Sequence, residues 1–330
     1  MDSISGNIDL DSPLSFKRPH RRLSIYSGWR LGSLAFALIA EAVVLSLFRD
    51  NLKLAWALTV LLATGLAAPA LVLAVLSARQ FGRREASRQA WLLVAPQGLA
   101  DCALFLAYSG LLTLAPGTSS AAIQRAAMWV LAAVTLNLVA RAVLAFVFWK
   151  GMQIYRGIGL RVQLHARDYA AIAVLIILLA GSVVFEKDLM RVRLAAVATA
   201  APDMLGWFHA AEYGWLIALG FCSVFGVMVW RLQSEMGGGL VAKAWRGVLL
   251  YAATMLLQFC YKAFSAFLIA HGLLTNPGII SAQTLVGVWG LLLSEYMLLL
   301  GTSYQYEACA GAVEFNLEDL KAIDSAQPGG

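Results

Sequence analysis

The sequence predicts an all-α integral membrane protein, a polytopic bundle of about eight transmembrane helices with both termini in the cytoplasm. Of its 330 residues, 60% are hydrophobic and only 13% are charged, whereas soluble domains average about 25% charged residues. The charged residues are concentrated in short segments between eight long apolar runs, and these runs mostly lack the polar stripe of a soluble helix. The first apolar run is long enough to direct insertion, and no shorter hydrophobic segment precedes it as a cleavable signal.

The eight runs divide the chain into a basic N-terminal tail (1–28), a membrane domain (29–305) and an acidic C-terminal tail (306–330). A helix needs about 17 to 25 apolar residues to cross the hydrocarbon core, and the fifth run is near the lower limit. The predicted spans are 29–48, 54–77, 90–114, 122–149, 169–185, 207–230, 247–272 and 283–305.

The distribution of Lys and Arg predicts the orientation. With the N-terminus inside, seventeen of these residues lie in cytoplasmic segments and five lie in segments on the other side. Cytoplasmic loops of membrane proteins are enriched in Lys and Arg. This bias also accounts for the net charge of +6, so the charge is no sign of nucleic-acid binding, and we predict none.

Two loops have features of their own. The segment Arg21-Arg22-Leu23-Ser24 matches the pattern of basophilic kinase sites, and a phosphate on Ser24 would reduce the basic charge beside the membrane. Ser24 is therefore a predicted regulatory phosphosite. The loop 186–206 has an Ala-rich middle, which predicts a short helix that ends near Pro202.

Small residues and prolines predict how the helices pack. Small side chains let helix backbones approach closely in lipid, and we expect each of the two prolines inside a span, Pro69 and Pro96, to bend its helix. The predicted contact face of the sixth span comprises Ala210, Gly214, Ala218, Cys222 and Gly226. That of the eighth span comprises Gly287, Gly290, Ser294 and Gly301.

Ionisable residues inside the spans mark the candidate site. An Asp, Lys or Arg at a helix centre costs roughly 2.5 to 3.5 kcal/mol, so several of them require partners. Asn137 and Gln258 each precede a basic residue by four positions and share its helix face. The predicted substrate or ion pathway comprises Glu41, Asp101, Asn137, Arg141, Gln258, Lys262 and Glu295.

Lys262 and Glu295 are predicted to meet. The seventh and eighth spans are joined by a short loop, which favours antiparallel neighbours. Measured from the ends of their spans, both residues lie near the middle of the bilayer, so the lysine is expected to reach the carboxylate.

A second polar cluster is predicted at the outer end of the sixth span. His209, Glu212 and Tyr213 are three and four residues apart, so they share one helix face. Two ligands are too few for a zinc site, and the remaining histidines give no clear third, although His271 at the outer end of the seventh span could approach this group. We therefore predict no metal and no cofactor.

The sequence contains no nucleophile triad and no metalloprotease motif, and an enzyme is not predicted. The four cysteines are interpreted as packing residues because their spacing fits neither a disulfide framework nor zinc.

The leading functional hypothesis is a transporter or exporter of a small solute or lipid, in a plasma or organelle membrane, that uses the polar core between helices. A receptor or sensor that signals through its cytoplasmic tails is one alternative. A structural subunit of a membrane complex, in which the charges only hold helices together, is the other. The expected partners are the lipid bilayer, a small-molecule or lipid substrate, and either further copies of the chain or another protein of a membrane complex.

Overall fold

The computed structural model describes residues 23–48, 51–82, 85–114, 117–157, 163–235, 239–275 and 288–310. This part of the chain is 90% helical and contains no strand. The sequence-predicted all-α class is confirmed for it. The N-terminal residues before 23, the segment 236–238 with its two glycines, and the acidic tail from 311 lie outside the described residues.

The described helices follow one another with short connections, and a 3₁₀ turn, Pro202–Met204, precedes the eighth. The helices are α1 (Leu23–Leu47), α2 (Leu52–Arg79), α3 (Ala86–Val94), α4 (Gln97–Leu112), α5 (Ser120–Gly157), α6 (Ala166–Arg193), α7 (Ala195–Ala200), α8 (Leu205–Glu235), α9 (Leu240–Ala270) and α10 (288–310). Ser24 lies in the first turn of α1, but its side chain is outside the described part, so the phosphosite stays a prediction.

Seven helical segments of the described chain are long and apolar enough to cross a membrane. They coincide with the first seven predicted spans, and α3 and α4 together form the third. The helix α10 occupies most of the predicted eighth span but does not belong to this set. The chain is therefore a multi-pass membrane protein, while the count of eight and the orientation stay predictions.

The two prolines have different effects. The helix α2 runs through Pro69 without interruption. At Pro96 the helix is divided, and α4 begins directly after this residue. Because Pro96 cannot donate a backbone hydrogen bond to the carbonyl four residues earlier, that of Leu92, the helical hydrogen bonding is interrupted at this point. The side-chain amide of Gln97 donates to the Leu93 carbonyl at 3.1 Å, in the last turn of α3.

The segment after the fifth predicted span begins as a continuation of the helix, although its charged residues predicted a loop from residue 186 onward. The helix α6 continues eight residues beyond the predicted boundary, to Arg193, because its charged residues find partners instead of ending the helix. Glu186 is fully buried, and its Oε1 lies 2.9 Å from Nδ1 of His209. The short helix predicted before Pro202 is present as α7.

The small residues of α8 face other helices. A side chain at Gly214 would contact Leu138 of α5, and one at Gly226 would collide with Leu249 of α9. Cys222 is fully buried and its thiol donates to the Arg141 carbonyl at 3.1 Å. The predicted contact face is confirmed at these positions, whereas Ala210 is exposed.

The helices α9 and α10 are antiparallel neighbours, as predicted. Gly290 lies against Gln258, and Gly301 lies against the backbone of Gly247. A Cβ at Gly247 would come 2.5 Å from the Cα of Gly301, so the backbones touch without intervening side chains. From the first contact to the second, the position moves eleven residues toward the N-terminus of α9 and eleven residues toward the C-terminus of α10. The two helices are therefore antiparallel, and the contacts fix their register.

The outward faces of the spans are apolar. On α6, Ile177 and Val184 are 68% and 69% exposed, and on α1, Phe36 is 69% exposed. In a soluble protein such surfaces would be interaction sites or aggregation liabilities, but a bilayer solvates them. The carboxylates and amides near the middle of the spans are buried instead, among them Glu41, Asp101, Asn137 and Glu295.

Candidate functional site: a polar cavity inside the helix bundle

The centre of the bundle holds a network of hydrogen-bonded polar side chains, here called the Asp101 cluster. Asp101 forms a buried ion pair with Arg141 and accepts a hydrogen bond from the hydroxyl of Tyr251. Its members lie on α4, α5, α8 and α9, and they are Gln97, Asp101, Asn137, Arg141, Trp215 and Tyr251.

Almost every polar side-chain atom of the Asp101 cluster has a partner. Asn137 donates to Asp101 at 2.8 Å and accepts from the indole N–H of Trp215 at 2.5 Å. Gln97 accepts from Arg141 at 2.8 Å and donates to the Ala140 carbonyl at 2.7 Å. Within the described chain, Nε of Arg141 is the one atom of the cluster without a hydrogen-bond partner. Hydrogen-bond partners of this kind offset the free-energy cost of burying charged side chains in a low-dielectric interior.

A second group, the Arg193 cluster, consists of Tyr108, Arg193 and Glu212. The Tyr108 hydroxyl donates to Glu212 Oε1 at 2.6 Å, and Arg193 Nη1 lies 3.8 Å from the same oxygen. The guanidinium also lies over the Tyr108 ring, 4.8 Å from its centroid. An ion pair of 3.8 Å is longer than a charge-assisted hydrogen bond of about 2.7 to 2.9 Å, so Arg193 is held loosely.

A cavity of about 70 Å³ extends between the two clusters. Its wall combines charged, polar and aromatic side chains from α4, α8, α9, α10 and the end of α6. The lining residues are Asp101, Leu104, Phe105, Tyr108, Arg193, Glu212, Trp215, Met255, Gln258, Phe259, Lys262 and Leu291.

The side chain of Lys262 forms part of the cavity wall between the two clusters. Its ammonium lies over the ring of Phe105, 5.8 Å from the centroid, and it interacts electrostatically with Arg193. In the described part of the chain it has no carboxylate partner within ion-pair distance. A cation over an aromatic face gains some stabilisation, but this does not neutralise its charge.

The predicted ion pair between Lys262 and Glu295 is wrong. From the two glycine contacts between α9 and α10, Glu295 lies level with Ala253, nine residues from Lys262 along α9. At about 1.5 Å per residue, the two residues are separated by about 13 Å along the helix axes. The prediction failed because it measured depth from the ends of the apolar runs, whereas the glycine contacts set the register.

Glu295 belongs to the surroundings of the Asp101 cluster instead. It is fully buried, and neither of its carboxyl oxygens has a hydrogen-bond partner among the described residues. One oxygen fills the place that a Cβ at Gly98 would take, so a side chain at that position of α4 would displace the Glu295 carboxylate. Asp101 and Arg141 are its electrostatic neighbours.

The remaining predicted site residues lie away from the cavity. Glu41 is buried between α1 and α2, where it accepts from the Thr59 hydroxyl at 2.5 Å. His209 is paired with Glu186, and its ring is stacked on Tyr213. His271 is close to Asp188, at 3.9 Å, and not to this group. Of the predicted outer-end cluster, only Glu212 lines the cavity.

Sequence reasoning missed several lining residues that helical periodicity would have revealed. On α4, Phe105 and Tyr108 follow Asp101 by four and seven residues, and they all line the cavity. On α9, Gln258 and Lys262 lie on the same face as Met255. Arg193 gave no such signal, because it fell in a segment read as a loop.

No protein-family model, curated protein or solved structure matches this chain. The function is therefore argued from the cavity and its surroundings.

Proposed function

We propose that the protein is a membrane transporter that moves a small solute through the polar cavity between the Asp101 and Arg193 clusters. The observation that carries the proposal is the cavity itself, about 70 Å³ of space lined by four charged side chains inside an apolar bundle. Ionisable groups at membrane depth that face an internal cavity commonly mark a solute or ion path.

The charges around the cavity are not arranged as expected for side chains whose only role is to hold helices together. A purely structural set would be packed without space, like the Asp101 cluster alone, because unfilled space and unpaired charges both destabilise a bundle. In the cavity wall, the long Arg193–Glu212 contact and the unpaired Lys262 leave polar groups ready for a guest. Asp101, Gln258 and Lys262 are the residues of the predicted pathway that would contact it, and Arg141 and Asn137 would position Asp101.

The test is solute flux in proteoliposomes, measured with a panel of small anionic, cationic and neutral solutes. Met255→Trp places a larger side chain in the cavity wall, and Leu257→Trp makes the same change on the exposed face of α9, where the native residue is 53% exposed. We expect flux of at least one solute class in the wild type, its loss in Met255→Trp and its retention in Leu257→Trp. Size-exclusion chromatography would verify that both variants fold.

Two results would overturn the proposal. Flux no greater than that of protein-free liposomes for every solute class, together with solute binding, would favour a receptor. Equal flux in the two tryptophan variants would show that the solute does not pass through this cavity.

A further inference from the structure

The cavity wall contains an uncompensated positive charge. Of its four charged residues, Asp101 is paired with Arg141, and Glu212 is paired with Arg193. Lys262 has no carboxylate within ion-pair distance anywhere in the described chain, and Glu295 is about 13 Å away along the helix axes. An ammonium in a low-dielectric site is costly without a counter-charge.

The position of Arg193 adds a second cation to the same space. Arg193 and Lys262 both line the cavity, and like charges in a low-dielectric enclosure repel each other. An anion between them would remove this repulsion. The loose contact of Arg193 with Glu212, at 3.8 Å, leaves the guanidinium able to turn toward such a ligand.

The volume and the walls restrict the ligand further. A water molecule needs about 10 to 15 Å³ of cavity volume, so 70 Å³ accommodates about five to seven water-sized groups. One part of the wall is aromatic and consists of Phe105, Trp215 and Phe259. An inorganic anion in contact with this part would lose its hydration without forming a hydrogen bond or an ion pair there. A short aliphatic chain would bury apolar surface there.

We propose that the cavity binds a short-chain monocarboxylate anion, with its carboxylate between Lys262 and Arg193 and its aliphatic end against the aromatic wall. A single negative charge matches the single uncompensated cation, whereas a dicarboxylate or a phosphate dianion would leave a negative charge buried. The inference deepens the proposed transport function and rests on it for its biological meaning, but binding itself can be measured separately.

The experiment is ligand binding to the purified full-length protein in detergent, by calorimetry and by the shift in melting temperature. The ligands are propionate, its neutral analogue propionamide, propylammonium, chloride and phosphate. We expect propionate to bind and to raise the melting temperature, and propionamide and propylammonium to have no effect. This comparison uses only the wild type, so it remains decisive even if a variant does not fold.

Variants at two lysines of α9 test the position of the carboxylate. Lys262→Met removes the charge with similar volume, and we expect at least tenfold weaker propionate binding. Lys262→Arg retains the charge and should retain most of the affinity. Lys243→Met is the matched control, because Lys243 lies near the Tyr304 ring at the other end of α9, and it should bind propionate like the wild type.

Each opposite outcome contradicts a defined part of the inference. Equal binding of propionamide, or unchanged binding in Lys262→Met, would exclude recognition of the carboxylate by this lysine. Chloride or phosphate binding as tightly as propionate would replace the monocarboxylate by a general anion. Propionate binding without flux would overturn the transport proposal alone, and flux of another solute class without propionate binding would overturn the inference alone.

Discussion

The Asp101 cluster and the wall of the cavity share Asp101 and Trp215, but the two regions differ in how completely their charges are paired. In the Asp101 cluster, one carboxylate is surrounded by an arginine, an asparagine and a tyrosine. In the cavity wall, Arg193 has a long contact with Glu212, and Lys262 has only an aromatic ring. A paired charge stabilises one packing of the helices, whereas an unpaired one beside a space can bind a guest.

This difference separates two interpretations that the sequence left open. Intramembrane charges can fix helix register, or they can form a polar path for a solute. The Asp101 cluster, in which the charges are paired, has the properties expected of the first role, and the proposed solute path lies in the cavity wall, where the pairing is incomplete. Stability measurements can distinguish paired from unpaired charges.

The largest effect is expected from breaking the Asp101–Arg141 pair. Asp101→Asn or Arg141→Met alone leaves a charge buried without its partner, which typically costs about 3 to 5 kcal/mol. The double variant should lose less than the sum, because no charge remains. The measurement is a double-mutant cycle on the free energy of unfolding, or on folded yield where unfolding is irreversible. Additive losses would show that the two residues do not act as a structural pair.

A smaller difference is expected between Asn137→Leu and Glu212→Gln. Leucine at 137 leaves the Trp215 indole N–H without its acceptor in a fully buried place, and such an orphan costs about 1 to 3 kcal/mol. Glutamine at 212 keeps an oxygen for Tyr108. Its loss of charge affects Arg193 less than a tight pair would, because their contact is already 3.8 Å long and the Arg193 side chain is 17% exposed, where water can hydrate it. The loss should therefore stay below about 1 kcal/mol. Thermal unfolding of both variants provides the test, and an equal or reversed order would contradict the contrast between the two regions.

The smallest effect is expected for the coupling between Lys262 and Glu295. Residues farther apart than about 7 to 10 Å, with no shared partner, usually show additive effects within about 0.5 kcal/mol. The double variant Lys262→Met/Glu295→Gln should therefore have the sum of the two single effects on melting behaviour. A marked recovery in the double variant would mean that the two charges meet, and that the register of α9 and α10 differs from the one set by the glycine contacts.

The sequence alone determined that this protein lies in a lipid bilayer, and it determined the approximate positions of its helices along the chain. Apolar runs of bilayer length predict helices reliably, because unpaired backbone groups are too costly in lipid for other conformations. The small residues of α8 and the antiparallel pairing of α9 and α10 were also predictable, since they depend on local spacing and a short loop. Asp101, Gln258 and Lys262 were found because charged and amide side chains are rare at membrane depth.

Only the tertiary structure decided which of these charges meet. Partner choice depends on the rotation and axial register of neighbouring helices, and a shift of a few residues along an axis replaces one partner by another. The contact of Gly247 with Gly301 sets that register for α9 and α10, so that Glu295 lies beside the Asp101 cluster and Lys262 faces the cavity. Arg193 joined the site because α6 continues past its apolar run, which a count of hydrophobic residues does not reveal.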